Sequence, residues 1–167
     1  MLAPFLRTKS VLLLTGLAGV AVLGGAYIFQ YGFGYQPCVL CLYQRLPWWI
    51  TIGVACLGLS VARKRPGLLS VFTVLAGLVV LAGAALAGYH AGVEYAWWQG
   101  PAGCSSTVDM SSMTLEEMKK AIMATPVVRC DEAAWTLFGI SMAGYNFLIS
   151  LAAGLFAVVF GWRNRQA

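Results

Sequence analysis

Charge is scarce in this chain of 167 residues: Asp, Glu, Lys and Arg together make up 10% of it, against about a quarter in an ordinary soluble domain. So small a supply excludes a conventional water-covered fold. Acidic residues are the scarcer sign, six against eleven Lys and Arg, and none precedes Glu94. Internal repeats and low-complexity tracts are absent too, which leaves residues 1–167 as a single integral domain.

What fills the chain instead is apolar: 60% of residues are hydrophobic and the mean hydropathy is +0.77. Four stretches, about 11–29, 43–62, 68–88 and 142–161, approach or reach the roughly 20 residues that cross ~30 Å of hydrocarbon. The expected fold is therefore an all-α membrane protein, a four-transmembrane-helix bundle. The first stretch is longer than the ~7–15 residues of a signal-peptide core and lacks an A-x-A cleavage site, so it is expected to be retained.

The few charges set the topology. Arg7 and Lys9 precede the first span, Arg63, Lys64 and Arg65 join the second to the third, and Arg163 and Arg165 follow the fourth. With no acid among them, all three segments are expected in the cytoplasm, as are both termini. The net charge of +5 is thus a topology signal and gives no support to nucleic-acid binding. The outward loops are then about 30–42 and 89–141, the second holding all six acids. A loop of that length is usually functional or carries its own structure. Thr114 and Glu117 form a capping box, and Leu115, Met118 and Ile122 follow at helical spacing, which predicts a short amphipathic helix. Trp97, Trp98 and Trp135 suit a membrane-interface belt. Within the spans, Gly16, Gly19, Gly24, Gly25, Gly77, Gly83 and Gly88 are read as packing positions.

This topology puts Cys38, Cys41, Cys104 and Cys130 in the compartment where disulfides persist. Cys38 and Cys41 form a C-x-x-C pair at the start of a helix, with Arg45 four residues beyond Cys41 on the same face. A helix N-terminus and a fixed cation both favour a thiolate. Pairing Cys38 with Cys41 leaves Cys104 with Cys130. As a staple the C-x-x-C is poorly justified, because a bridge over two intervening residues removes little chain entropy; a redox role suits it better. The alternatives are a tetraspan scaffold whose disulfides only brace loops, and a four-cysteine zinc site, which an oxidising compartment disfavours, so no metal is expected. If both pairs are redox-active, Cys104–Cys130 on a water-facing loop is open to a soluble protein thiol. Cys41 at the membrane surface is open to a lipid-soluble acceptor, for which a quinone is the obvious two-electron candidate. Arg45 would stabilise the charge developing on the reduced quinone, and His90, the single histidine, could donate to one of its oxygens. Cys56, in mid-span, reads as a small core residue.

The run Cys38-Val39-Leu40-Cys41 followed by Leu42-Tyr43-Gln44-Arg45, the Cys104/Cys130 loop, the stretch Cys130–Trp135 and Phe138-Gly139-Ile140-Ser141-Met142 resemble the disulfide bond formation protein B (DsbB) family over nearly the whole chain. The resemblance implies a protein-disulfide-generating quinone reductase, a thiol:quinone oxidoreductase of the bacterial inner membrane. Its partners would be a periplasmic thioredoxin-fold dithiol oxidase (DsbA-like), the quinone pool (ubiquinone or menaquinone) and the lipid bilayer. By position, Cys104 would form the mixed disulfide with the partner and Cys130 would be its loop mate. Cys38 would exchange with that pair, Cys41 would face the quinone, and Arg45 and His90 would bind it. Two departures matter. Gln44 stands where some members carry an acid, which removes acid–base help there. Pro47 cannot donate to the carbonyl of Tyr43, which leaves open whether the second helix starts before Pro47 or near it, with Cys41–Arg45 then on a preceding turn.

Overall fold

The computed structural model describes residues 2–101, 104, 114–116 and 128–164, with side chains from Arg7 onward. Four helices carry the architecture: α1 (Leu2–Tyr27), extended by one π turn (Ile28–Gly32); α2 (Val39–Val61); α3 (Leu69–Glu94); and α4 (Met142–Arg163). All four are long and apolar enough to cross a membrane. Even α4, the shortest with 22 residues, rises about 33 Å, against ~30 Å of hydrocarbon. The chain is a four-helix membrane bundle.

Its packing is that of a protein dissolved in lipid. Leu13, Leu17, Trp49, Leu78 and Leu155 point outward, whereas Ala76, Ala87 and Ala157 are fully enclosed. Small residues at the seams let backbones approach. A Cβ on Gly77 would sit 2.8 Å from Val158, one on Gly154 2.7 Å from Leu81, and one on Gly16 2.9 Å from Ala55. Gly19, Gly83 and Gly88 pack in the same way. Gly24 and Gly25 do not: among the described residues nothing lies within 4 Å of a Cβ at either, and Gly25 borders a cavity instead.

Pro47 lies inside α2 and does not begin it. The helix starts eight residues earlier because Cys38 caps it: extended at φ −74°, ψ 174°, it accepts the Cys41 N–H on its sulfur. The proline is accommodated by the neighbouring helix, since a Cβ on Gly83 would come 2.9 Å from the Pro47 ring. One turn on, the Thr51 hydroxyl donates to the Pro47 carbonyl at 2.8 Å.

Between α3 and α4 a two-residue antiparallel ladder pairs Thr136–Leu137 with Ile140–Ser141. Phe138 and Gly139, at φ 50° and 77°, supply the two left-handed residues of a type I′ turn. The hydroxyl of Tyr95 donates to the Gly139 carbonyl at 2.8 Å and accepts the Ser141 N–H at 3.1 Å, which ties this hairpin to the end of α3. Ser141 then caps α4, its side chain accepting the N–H of Gly144. The amphipathic helix expected from Thr114 falls largely outside the described residues.

Candidate active site

The start of α2, the end of α3 and the start of α4 meet at one end of the bundle, away from the Arg63–Arg65 turn. Cys38 stands there at the cap of α2, 5% exposed. Its sulfur lies 2.8 Å from that of Cys41 and accepts the Cys41 backbone N–H at 3.2 Å. The cap supplies what a helix N-terminus offers an anion. The hydrogen bond from the Cys41 thiol, above all, lowers the Cys38 pKa to about 5 from 9.0. Burial opposes that shift, and His90, 3.6 Å away through Nε2, assists it.

The second cysteine pair is in contact with the first. Cys104 and Cys130 form a disulfide, supported by the Cys130 N–H donating to the Cys104 carbonyl at 3.0 Å. It is buried against Val93, Leu40 and Cys38, not presented to water as its loop position suggested. The reason is composition: a disulfide is an apolar group, and the top of α3 offers it an apolar seat. The Cys38 sulfur, a His90 ring nitrogen and the Cys130 sulfur all lie within 4.8 Å of one another. Cys104 and Cys130, bonded to each other, do not offer the thiolates that a four-cysteine zinc site requires.

Beside this cluster opens a cavity of about 620 Å³, within the range of small-molecule sites. Its walls are mostly apolar, with Cys38, Cys41, Gln44, Arg45, His90 and Glu94 as polar positions. Phe29 packs on Trp135 at 5.2 Å between ring centroids, and Trp135 on Tyr145 at 6.2 Å, giving the wall aromatic faces. Arg45 is held at the wall by α1: its guanidinium donates to Gln30 at 2.7 Å and lies 4.9 Å over the Tyr27 ring.

The structure therefore brings Cys38, Cys41, Cys104, Cys130 and His90 together and sets Arg45 on the same cavity, engaged with α1. Cys56 is elsewhere, exposed on the outer face of α2 and not in the core. As a small apolar side chain it is at home against lipid. Sequence reasoning missed Glu94. Its carboxylate accepts from Ser141 and stands 3.9 Å from His90 Nε2, with its side chain 6% exposed. The signal was present: Glu94 follows His90 by one helical turn and is the first carboxylate in the chain. Asn146, hydrogen-bonded to both Gln44 and Trp48, was also missed. Outside the cluster, Arg129 pairs with Asp131 at 2.6 Å and Glu132 at 3.2 Å. The Asp131 carboxyl, hydrogen-bonded by that guanidinium, is held below the usual range.

The family described as disulfide bond formation protein DsbB matches residues 8–160. Disulfide bond formation protein B 1 of Pseudomonas aeruginosa is 29% identical over 160 residues, covering 93% of this chain and 96% of that protein. Disulfide bond formation protein B of Methylococcus capsulatus is 28% identical over 162 residues, 95% of this chain and 96% of its own. An uncharacterised protein of Rickettsia prowazekii is 30% identical over 152 residues, 90% and 86% of the two chains. No solved structure matches the chain.

Proposed function

The chain belongs to the disulfide bond formation protein DsbB family, and we propose that within it this protein is a thiol:quinone oxidoreductase that reoxidises a periplasmic thioredoxin-fold dithiol oxidase. Residues 1–167 act as one integral domain of the inner membrane, with both termini cytoplasmic and the four site cysteines periplasmic. One observation carries the reading. The Cys38 sulfur lies between two redox partners, 2.8 Å from Cys41 and within 4.8 Å of Cys130, at the wall of an apolar cavity.

The steps balance as thiol–disulfide exchange. A partner thiolate attacks Cys104; the partner–Cys104 bond forms and Cys130 leaves as thiolate. Cys130 attacks Cys38 of an oxidised Cys38–Cys41 pair, and Cys41 leaves as thiolate. The partner's second thiolate displaces Cys104, which attacks Cys130 and releases Cys38. The partner is now oxidised, the loop disulfide is restored, and two electrons rest on Cys38 and Cys41. Cys38 and Cys41 return to their disulfide by giving up those two electrons and two protons, which a quinone in the cavity would accept.

The cavity suits such a ring by size, apolar walls and aromatic lining. Cys41, less buried than Cys38, offers its sulfur to it. Arg45, permanently charged and braced by Gln30 and Tyr27, stabilises negative charge there. His90 lines the same cavity, with its ring nitrogens turned to Gln44 and Cys38. The test mixes the purified protein, the reduced thioredoxin-fold partner and a soluble quinone, and follows partner thiols and quinone absorbance together. Coupled loss of both supports the reading. No catalysed partner oxidation, with ubiquinone and menaquinone analogues both tried, leaves a scaffold with structural disulfides.

A further inference from the structure

Four side chains from three helices form a continuous hydrogen-bond chain that ends at Cys38. The indole N–H of Trp48 on α2 donates to Asn146 Oδ1 on α4 at 3.0 Å. Asn146 Nδ2 donates to Gln44 Oε1 on α2 at 2.7 Å. Gln44 Nε2 meets His90 Nδ1 on α3 at 2.6 Å, and His90 Nε2 faces the Cys38 sulfur at 3.6 Å. Trp48, Gln44 and His90 are all buried, so water cannot replace a broken link cheaply.

The direction of this chain follows from its far end. An indole N–H can only donate. The group Asn146 turns to Trp48 must therefore be its oxygen, and the Ser150 hydroxyl donates to the same oxygen at 3.2 Å. That leaves the Asn146 amide N–H₂ for Gln44, so Gln44 presents its oxygen there and its own N–H₂ to His90. His90 Nδ1 can then only accept, and in the neutral ring the proton is on Nε2.

We infer that Trp48, Asn146 and Gln44 are positioning residues: they lock His90 in the Nε2–H tautomer and aim that proton at the Cys38 sulfur. The opposite tautomer would set a bare nitrogen lone pair against a thiolate. Restoring agreement would require both amides to turn over, leaving the Trp48 N–H facing the Asn146 N–H₂ in the bundle interior. Sequence alone suggests a weaker site, because Gln44 cannot act as an acid. In this chain it relays orientation instead. Among the described residues, the groups facing Cys38 are Cys41 on α2 and His90 and Glu94 on α3; the loop disulfide carries no proton, and Arg129 is taken up by Asp131 and Glu132.

The consequence for thiolate chemistry rests on the proposed role of Cys38, but the tautomer can be read without any turnover. His90 is the only histidine, so the full chain labelled with ¹⁵N in the imidazole gives a single pair of ring signals. At neutral pH a one-bond N–H coupling is expected at Nε2 and none at Nδ1. A proton on Nδ1, alone or together with one on Nε2, overturns the inference. In Gln44→Leu the Nε2 preference should be lost. The Cys38 alkylation midpoint, read residue by residue by mass spectrometry, should then rise by about one pH unit, a tenfold smaller thiolate fraction at a fixed acidic pH. A wild-type tautomer and midpoint in that variant would equally overturn it. The wrong tautomer with intact partner oxidation removes this inference alone; the right tautomer without partner oxidation removes the proposed function alone.

Discussion

Replacing Cys41 and Cys104 by serine leaves Cys38 and Cys130 as the two site thiols, and their proximity sets what glutathione disulfide will do to them. A sphere of 4.8 Å radius encloses about 460 Å³, and one thiol confined to it corresponds to about 4 M. Once glutathione has capped either sulfur, the other competes with free glutathione at ~1 mM, an advantage of about 4,000-fold for ring closure. At 1.36 kcal/mol per factor of ten this is about 5 kcal/mol. A disulfide needs its sulfurs about 2.05 Å apart, so the closing movement is under 3 Å. The expected product is a Cys38–Cys130 disulfide with no glutathione attached, mapped by non-reducing peptide mass spectrometry. Cys56, facing lipid, serves as internal control. A stable chain carrying glutathione on both Cys38 and Cys130 would refute the proximity on which the relay is built.

Three other perturbations test separate steps. In Cys130→Ala the resolving thiol for the loop is gone, so a mixed disulfide between Cys104 and the partner should accumulate on non-reducing gels; none forming would remove Cys104 as the point of attack. Arg45→Ala should lower the rate of quinone reduction by roughly 10²–10³-fold, the usual effect of losing a charge-stabilising group, while stopped-flow loop exchange changes little; equal slowing of both would make Arg45 a brace for α1. Cys38, with its pKa lowered to about 5, should be alkylated at a near-constant rate above pH ~6 and progressively more slowly as pH falls through 5. A rate still climbing toward pH 9 would mean that the Cys41 hydrogen bond does not stabilise the thiolate.

The spans were legible because lipid demands something sequence can show directly: about 20 apolar residues with charge only at the ends. The hairpin at Phe138 was not, since it rests on two left-handed residues of which only Gly139 announces itself. The start of α2 was not legible in the sequence, for an instructive reason. Pro47 breaks a hydrogen bond locally, and a local rule ends the helix there. What keeps the helix intact lies in other parts of the chain: the Cys38 cap on one side and the absent side chain of Gly83 on the other. Neither is visible from the neighbourhood of Pro47. The glycines behave alike, since Gly83 and Gly25 look equivalent in sequence and, among the described residues, only Gly83 faces a neighbour.

The site shows the same division between local and distant information. C-x-x-C is a local motif, and its capping role, hydrogen bond and low-pKa cysteine all arise within one turn of helix. What distinguishes Cys38 from Cys41 begins there and is adjusted from a distance. The depressed pKa belongs to the cap residue, Cys38, first because the Cys41 thiol and backbone N–H both donate to it; His90 on α3 adds to this, while Arg45, on the face of Cys41, is drawn to Gln30 and Tyr27 on α1. The asymmetry of the dithiol is therefore local in origin and adjusted by contacts that reach 15 and 52 residues away in sequence. It follows that substitutions in α1 or α4 that never touch a cysteine should tune which sulfur carries the charge. Gln30→Leu is the sharpest case: it frees the guanidinium of Arg45 to turn toward Cys41, and the difference in alkylation midpoint between Cys38 and Cys41 should narrow. An unchanged difference would show that the cap and His90 alone set the asymmetry, with no contribution from where Arg45 is held.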